Sequence, residues 1–169
     1  MKKAIFVLAV FCLSGFVGGC GEVKDALDIE FSITHNHIFT IRGGDTTLSY
    51  NINLDDNDDY RKYKDKIRRV RIDYLHYSIT SNTGSGGKGD FYAGPYGSTF
   101  SSATKVAETI SFAAGETRGE TDVQWINLEY LESLLTNGKL SLWAVATGSG
   151  VDVIVPVVIK VEITANPLE

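Results

Sequence analysis

Residues 151 to 164, VDVIVPVVIKVEIT, place Val151, Val153, Val155, Val157, Ile159, Val161 and Ile163 at every second position. Side chains of an extended chain point alternately to opposite faces, so this spacing predicts one long strand with a continuous apolar face. A sheet face of that kind has to be covered by another layer. Pro156 lies on the opposite face. It has no N–H to give a ladder, so the strand is expected at a sheet edge or bent there.

The same period recurs in shorter runs. Ile29, Phe31 and Ile33 alternate with polar neighbours, and Ile38 to Ile41 resumes the apolar character. After Gly43-Gly44-Asp45, Leu48, Tyr50, Ile52 and Leu54 alternate again, which predicts a hairpin. A third strand is expected from about Arg69 to Thr80. Its Leu75, Tyr77 and Ile79 have one parity and Val70 and Ile72 the other, so a bulge is expected between them. Val106, Ile110 and Phe112 predict a further strand, and Val123 with Trp125 another. A second hairpin is expected from Leu140–Thr147 to Val151–Thr164 across Gly148-Ser149-Gly150.

Two short helices are expected. Asn127 is placed to cap a turn carrying Leu128, Leu131, Leu134 and Leu135, ended by Asn137-Gly138. The other runs from about Asp59 to Arg68, with Tyr60, Tyr63 and Ile67 on one stripe and charges matched to the helix dipole. Seven or eight strands with one or two short helices in the connections, and no βαβ alternation, predict an all-β antiparallel sandwich. It is immunoglobulin-like only loosely, since no Cys…Trp…Cys framework exists.

Ahead of this body lies an uncharged segment from Ala4 to Gly19, preceded by Lys2 and Lys3 and followed by Cys20. A positive start, an apolar stretch and a small-residue exit are the marks of an export signal. The segment resembles a bacterial lipoprotein signal, because Val17-Gly18-Gly19-Cys20 matches the lipobox: an aliphatic residue, two small residues and cysteine. The resemblance covers residues 1 to 20 alone. It implies a signal peptide over residues 1–19, a diacylglyceryl group on the Cys20 sulfur and a palmitate-type chain on its amine. Residues 20–27 would then be a lipidated tether, and residues 28–165 a single domain. Gly21 in place of aspartate points to the outer membrane if the host is Gram-negative. A transmembrane anchor is the poorer reading, as the stretch is short and ends in glycine. An ordinary secretory signal would leave a lone thiol in an oxidising compartment.

Removal of residues 1–19 would leave 150 of the 169 residues, with neither Cys12 nor a free Cys20 for a disulfide. Core burial alone then holds the fold. Of 16 basic residues Lys2 and Lys3 are lost, leaving 14 against 21 acidic ones, a formal charge of −7. An acidic body argues against nucleic acid as a partner and against docking on anionic lipid by charge. Membrane attachment is expected through the lipid alone.

Three stretches carry candidate chemistry. In LDDNDDY, Asp55, Asn57 and Asp59 alternate like the start of a calcium loop. Tyr60 stands where such a loop needs glycine and Lys66 where it needs glutamate, so a solvated, helix-capping turn competes. His35 and His37 point the same way on a strand, and His76 would be the third imidazole of a zinc-type site. Residues 81–100 read as a long Gly-rich loop carrying Phe91, Tyr92, Tyr96 and Phe100, aromatics suited to stack on a sugar or a partner's side chain. Gly84 to Lys88 lacks the spacing of a phosphate loop, and no nucleophile elbow surrounds Ser149.

These readings converge on a lipid-anchored cell-envelope protein, a non-catalytic binding or accessory module for a protein or glycan, with no cofactor. Two rivals stand beside it: a metal-dependent envelope enzyme using His35, His37 and His76, or paired carboxylates drawn from Asp55, Asp58, Asp59 and Asp90; and a structural homo-oligomer joined through the C-terminal strand. The anchor is tested first. Cys20→Ser is expected to move the protein out of the membrane fraction, and intact mass of the natively produced chain to show the diacylglyceryl adduct on Cys20. An unmodified thiol there would refute the anchor.

Overall fold

The computed structural model describes residues 28–43 and 46–167; the lipobox, Cys20 and the tether up to residue 27 lie outside them. The chain is an antiparallel all-β sandwich of two sheets. Seven strands are substantial: β1 Ile29–Arg42, β2 Thr46–Asn53, β3 Ile67–Ile79, β5 Gly87–Pro95, β8 Arg118–Asp122, β9 Lys139–Thr147 and β10 Asp152–Ala165. Three are fragments: β4 Ser81–Asn82, β6 Thr104–Lys105 and β7 Ile110–Phe112. Sheet I has the order β1-β10-β3-β8, with β4 beside β10; sheet II has the order β2-β9-β5-β6, with β7 beside β5.

Neither expected hairpin forms. β1 pairs with β10 over fourteen unbroken positions, from Ile29↔Ala165 to Arg42↔Asp152, while β2 pairs with β9 in the other sheet. The chain therefore crosses between sheets from β1 to β2, and again from β9 to β10. Period two fixes which side chains face inward and is silent on which sheet a strand joins.

The valine row is the centre of the molecule. Val151, Val153, Val157, Ile159, Val161 and Ile163 are all buried, with Val155 half-buried, and β10 lies between β1 on one side and β3 on the other. β10 is an interior strand, so the edge expected for it does not exist. Pro156 is accommodated differently. Gly43 N–H donates to the Val151 carbonyl (2.8 Å), which sets the odd residues of β10 to bond β1. Even residues bond the other side, where Thr80 N–H reaches the Ile154 carbonyl (3.1 Å) and Thr83 N–H the Asp152 carbonyl (3.0 Å). The missing Pro156 donor thus falls where β10 changes neighbour from β3 to β4, between Val157↔Tyr77 and Ile154↔Ser81.

The bulge expected in β3 is present. Lys160 faces Tyr74 while Val161 faces Ile72, leaving Asp73 as the extra residue and returning both Ile72 and Leu75 to the core. Two helices lie in the connections, α1 (Asp58–Tyr63) and α2 (Leu128–Thr136). Helix α1 is shorter than expected, because β3 has already begun at Ile67. Helix α2 packs Leu131 and Leu135 into the core, and its Glu132 Oε1 accepts the Ile72 N–H (2.9 Å) next to the bulge. Asn127 starts α2 without capping it, since its side chain donates instead to the Lys105 carbonyl (2.7 Å).

Gly138 follows α2 with φ +75°, and a Cβ there would lie 2.3 Å from Tyr60 Oη, on the buried ring of α1. Gly138→Ala is expected to cost about 2 kcal/mol or more, from left-handed strain plus that overlap. Gly89 faces inward on β5 beside an apolar crevice of about 30 Å³, with no atom within 4 Å of an added Cβ. Gly89→Ala is therefore expected to stabilise by about 0.4–1 kcal/mol. Urea midpoints of the two variants check both signs.

Candidate functional site

The 81–100 stretch is not a loop. Its centre is β5, an interior strand of sheet II; residues 83–86 link β4 to it, and residues 96–103 cross outside the sheet. Glycine argued for a turn, but here it serves close packing: a Cβ on Gly94 would meet the Trp143 ring at 3.2 Å. The four aromatics separate accordingly. Phe91 faces inward, buried against Phe39 (ring centroids 6.4 Å apart). Tyr92 faces outward. Tyr96 and Phe100 sit on the crossing segment, 48% and 38% exposed.

On the outer face of sheet II these residues meet a fifth aromatic. Trp143 lies directly across from Tyr92 on β9 and is 4% exposed, although it is on the solvent side of the sheet. Phe100 covers it, edge-on to Tyr92 (5.1 Å) and tilted to Trp143 (6.3 Å). The crossing segment is tied down by Gly97 N–H donating to Ser141 Oγ (3.0 Å), and that hydroxyl donates to Asn51 Oδ1 (2.7 Å). The result is an aromatic shelf, Tyr92, Phe100 and Trp143, with Tyr96 at its rim under the Lys139 ammonium (5.9 Å). Exposed Thr47, Ser49 and Asn51 of β2 continue the same face. Trp143 was legible: Leu140, Leu142, Ala144 and Ala146 have the opposite parity, so alternation alone turns Trp143 outward.

The three histidines lie on two faces of sheet I. His37 points between the sheets, stacked on Tyr50 of β2 (4.1 Å, 11°) and edge-on to Phe39 (4.6 Å). His35 shares that inward row, its Nε2 buried without a hydrogen-bond partner among the described residues. His76 faces out, stacked on Tyr74 (4.0 Å) between Glu120 (2.9 Å) and Asp122 (2.7 Å). A sheet separates His76 from the pair, so the three cannot share a metal ion. Among the described residues no group of three His, Cys, Asp or Glu side chains is placed to hold one.

In the acidic turn the oxygens are already used. Asp55 is paired with Lys139 (2.8 Å) and Lys64 (3.8 Å), and its carboxyl is held below the usual range chiefly by the Lys139 hydrogen bond. Asn57 Oδ1 accepts the Tyr60 N–H (3.0 Å) as the α1 cap, and Asp59 stands exposed in the first turn. Asp58 pairs with Arg61. Asp90, on the outer face of β5, takes Lys105 (2.6 Å) and the Thr109 hydroxyl (2.6 Å). Asp55, Asp58 and Asp90 thus sit in separate ion pairs.

The outer face of sheet I holds a shallow groove of about 300 Å³ between Arg69, Arg71, Lys160 and Glu162. Two ion pairs close within it, Arg71–Glu162 at 3.6 Å and Lys160–Asp73 at 2.8 Å, and solvated pairs of this kind contribute little. The aromatic shelf is the better candidate.

No protein-family model and no curated protein matches this chain. Solved structures resemble it remotely. A chain of Desmodium yellow mottle tymovirus is 13% identical, over 95% of this chain and 97% of that one, with a TM-score of 0.35. One from the empty head of turnip yellow mosaic virus is 10% identical over 97% and 90%, with a TM-score of 0.38. One from infectious bursal disease virus Gx strain is 14% identical over 83% and 33%, with a TM-score of 0.36. Likenesses so distant bear on neither activity nor partners.

Burial lowers the pKa of His37, and that of His35 against a smaller opposing pull from Asp56. A depressed folded pKa means that the unfolded chain binds more protons below about pH 6.5. The associated stability is complete above that pH and is lost as pH falls through the lowered folded values. His37→Phe keeps a ring against Tyr50 and removes one titration. The fall in urea midpoint between pH 7.5 and 5.0 is expected to shrink in this variant; an unchanged fall would show that His37 has no part in it.

Proposed function

We propose that this chain is a lipid-anchored, non-catalytic binding module of the cell envelope, and that its ligand is a glycan held on the aromatic shelf of sheet II. Exposure of Phe100 and Tyr96 beside the hydroxyl and amide row of β2 carries the reading. Sugar rings present apolar C–H faces that stack on aromatic rings, and hydroxyls around their edges that need donors and acceptors. Thr47, Ser49 and Asn51 supply the second kind of contact at the edge of the first. The shelf is also rigid, because the crossing segment is fixed through Ser141 and Trp143, so little conformational freedom is lost on binding.

The anchor rests on the lipobox alone. Among the described residues no helix is long and apolar enough to cross a membrane. A tether of residues 20–27 would hold the domain within on the order of 20 Å of the bilayer, among envelope glycans. What weighs against the metal-dependent rival is that His76 stands on the opposite face of sheet I from His35 and His37.

Purified cell-wall glycan is the probe. Phe100→Ala and Tyr96→Ala are each expected to weaken its retention by about tenfold, or about 1.4 kcal/mol, with the unfolding midpoint little changed for Tyr96→Ala. Trp143 emission is expected to shift on binding, because Phe100 stands between it and a stacked sugar. Binding that survives both substitutions, or no retention of glycan at all, refutes the shelf as the site.

A further inference from the structure

Edge pairing of two copies through β10 is not available, as that strand is paired on both sides. Among the described residues the edges of sheet I are β1 and β8, and β1 is the longer. It is fourteen residues long, against eight for β2 and five for β8, and its pairing with β10 is regular from end to end. Proteins usually blunt such an edge with bulges, proline or charge. The opposite edge, β8, has Arg118, Glu120, Asp122 and a glycine in its five residues. β1 has none of these protections between Glu30 and Arg42.

The odd residues of β1 bond β10, by the parity that Gly43 and Val151 set, so the even residues turn their N–H and C=O groups to the open edge. Their side chains stand on the outer face of sheet I and all seven are exposed; Ile38, at 61%, is the most exposed large apolar side chain among those described. The charges of this row lie only at its two ends, Glu30 and Arg42, and neither has a partner among the described residues.

We propose that β1 is a self-complementary edge that pairs antiparallel with β1 of a second copy about a two-fold axis at Asn36. In this register Glu30 faces Arg42 of the second copy at both ends, Ser32 faces Thr40, and Thr34 faces Ile38, giving the exposed isoleucine a methyl neighbour. Every facing pair joins even residues, the ones whose backbone groups are free. The full overlap forms up to about 14 inter-chain hydrogen bonds and merges the two copies of sheet I into one sheet. Interfaces of this kind are isologous, so one patch serves both partners.

The test uses the full chain as its host produces it, purified in detergent, with dimerisation measured by sedimentation equilibrium. Glu30→Arg and Arg42→Glu each turn two attractive pairs into repulsive ones, so each is expected to weaken the dimer about tenfold or more. The double exchange restores both pairs and is expected to return affinity to within about threefold of the parent. Both side chains are exposed, so folding is not at stake, and unchanged circular dichroism verifies that. Asn36→Cys, on the axis, is expected to oxidise to a covalent dimer. A monomer at every concentration overturns the proposal and leaves the edge to another protein's strand. So does a dimer indifferent to either reversal, a double exchange weaker than the single ones, or an Asn36→Cys variant that does not cross-link.

Discussion

Everything in this sandwich depends on one strand being buried on its inward face and paired along both edges. β10 supplies the inward row that covers sheet II, and both long neighbours of sheet I take their register from it. Without a disulfide in the described residues, the clamp is apolar burial and ladder hydrogen bonds alone. That explains the unbroken valine and isoleucine row. A polar residue at any odd position would face the opposite sheet with nothing to bond.

Alternation made β1, β2, β3, β9 and β10 legible, together with the side each turns to the core; the strand expected at Val123 and Trp125 is instead β8, Arg118–Asp122, which ends just before them. The bulge in β3 was legible as well, since a change of parity inside one apolar run can be reconciled with a single core only by an extra residue. Strand partners were not. A glycine turn joining two alternating runs reads the same whether the chain folds back in its own sheet or climbs to the other. What decides is the match of the whole inward row of β1 to that of β10, a contact more than a hundred residues away in sequence. β5 was misread for a related reason. Its glycines lower strand propensity locally; the Trp143 ring needs Gly94 small and the tight corner around residues 147–151 needs Gly87 small, while Gly89 meets nothing.

For the site, sequence spacing placed residues on faces correctly within a strand and failed between strands. His35 and His37 do share a side, as alternation requires. His76 has the right chemistry on the wrong side, which depends on how β3 meets β10 and on the bulge at Asp73. The shelf was half legible: Tyr92, Tyr96 and Phe100 came from composition, while Phe91 belongs to the core by parity. Trp143 escaped because it sits inside a nearly continuous apolar run, where an outward tryptophan looks like one more core residue until its neighbours' parity is counted.

Two outer faces and one long, unblunted edge dominate the surface of the described residues. Sheet I presents charge, some of it closed into ion pairs, sheet II presents aromatic rings, and the unblunted edge lies along β1. Adding a strand at that edge extends sheet I sideways and leaves the outer face of sheet II facing solvent, since that face is turned away from sheet I across the core. Edge pairing and shelf binding are then geometrically independent. A paired molecule would carry two shelves on one rigid frame, so a repeating glycan could engage both and the second contact would form at high effective concentration without any new interaction. A weak single shelf is then sufficient, which fits a surface of three or four aromatic rings with no deep pocket beneath it.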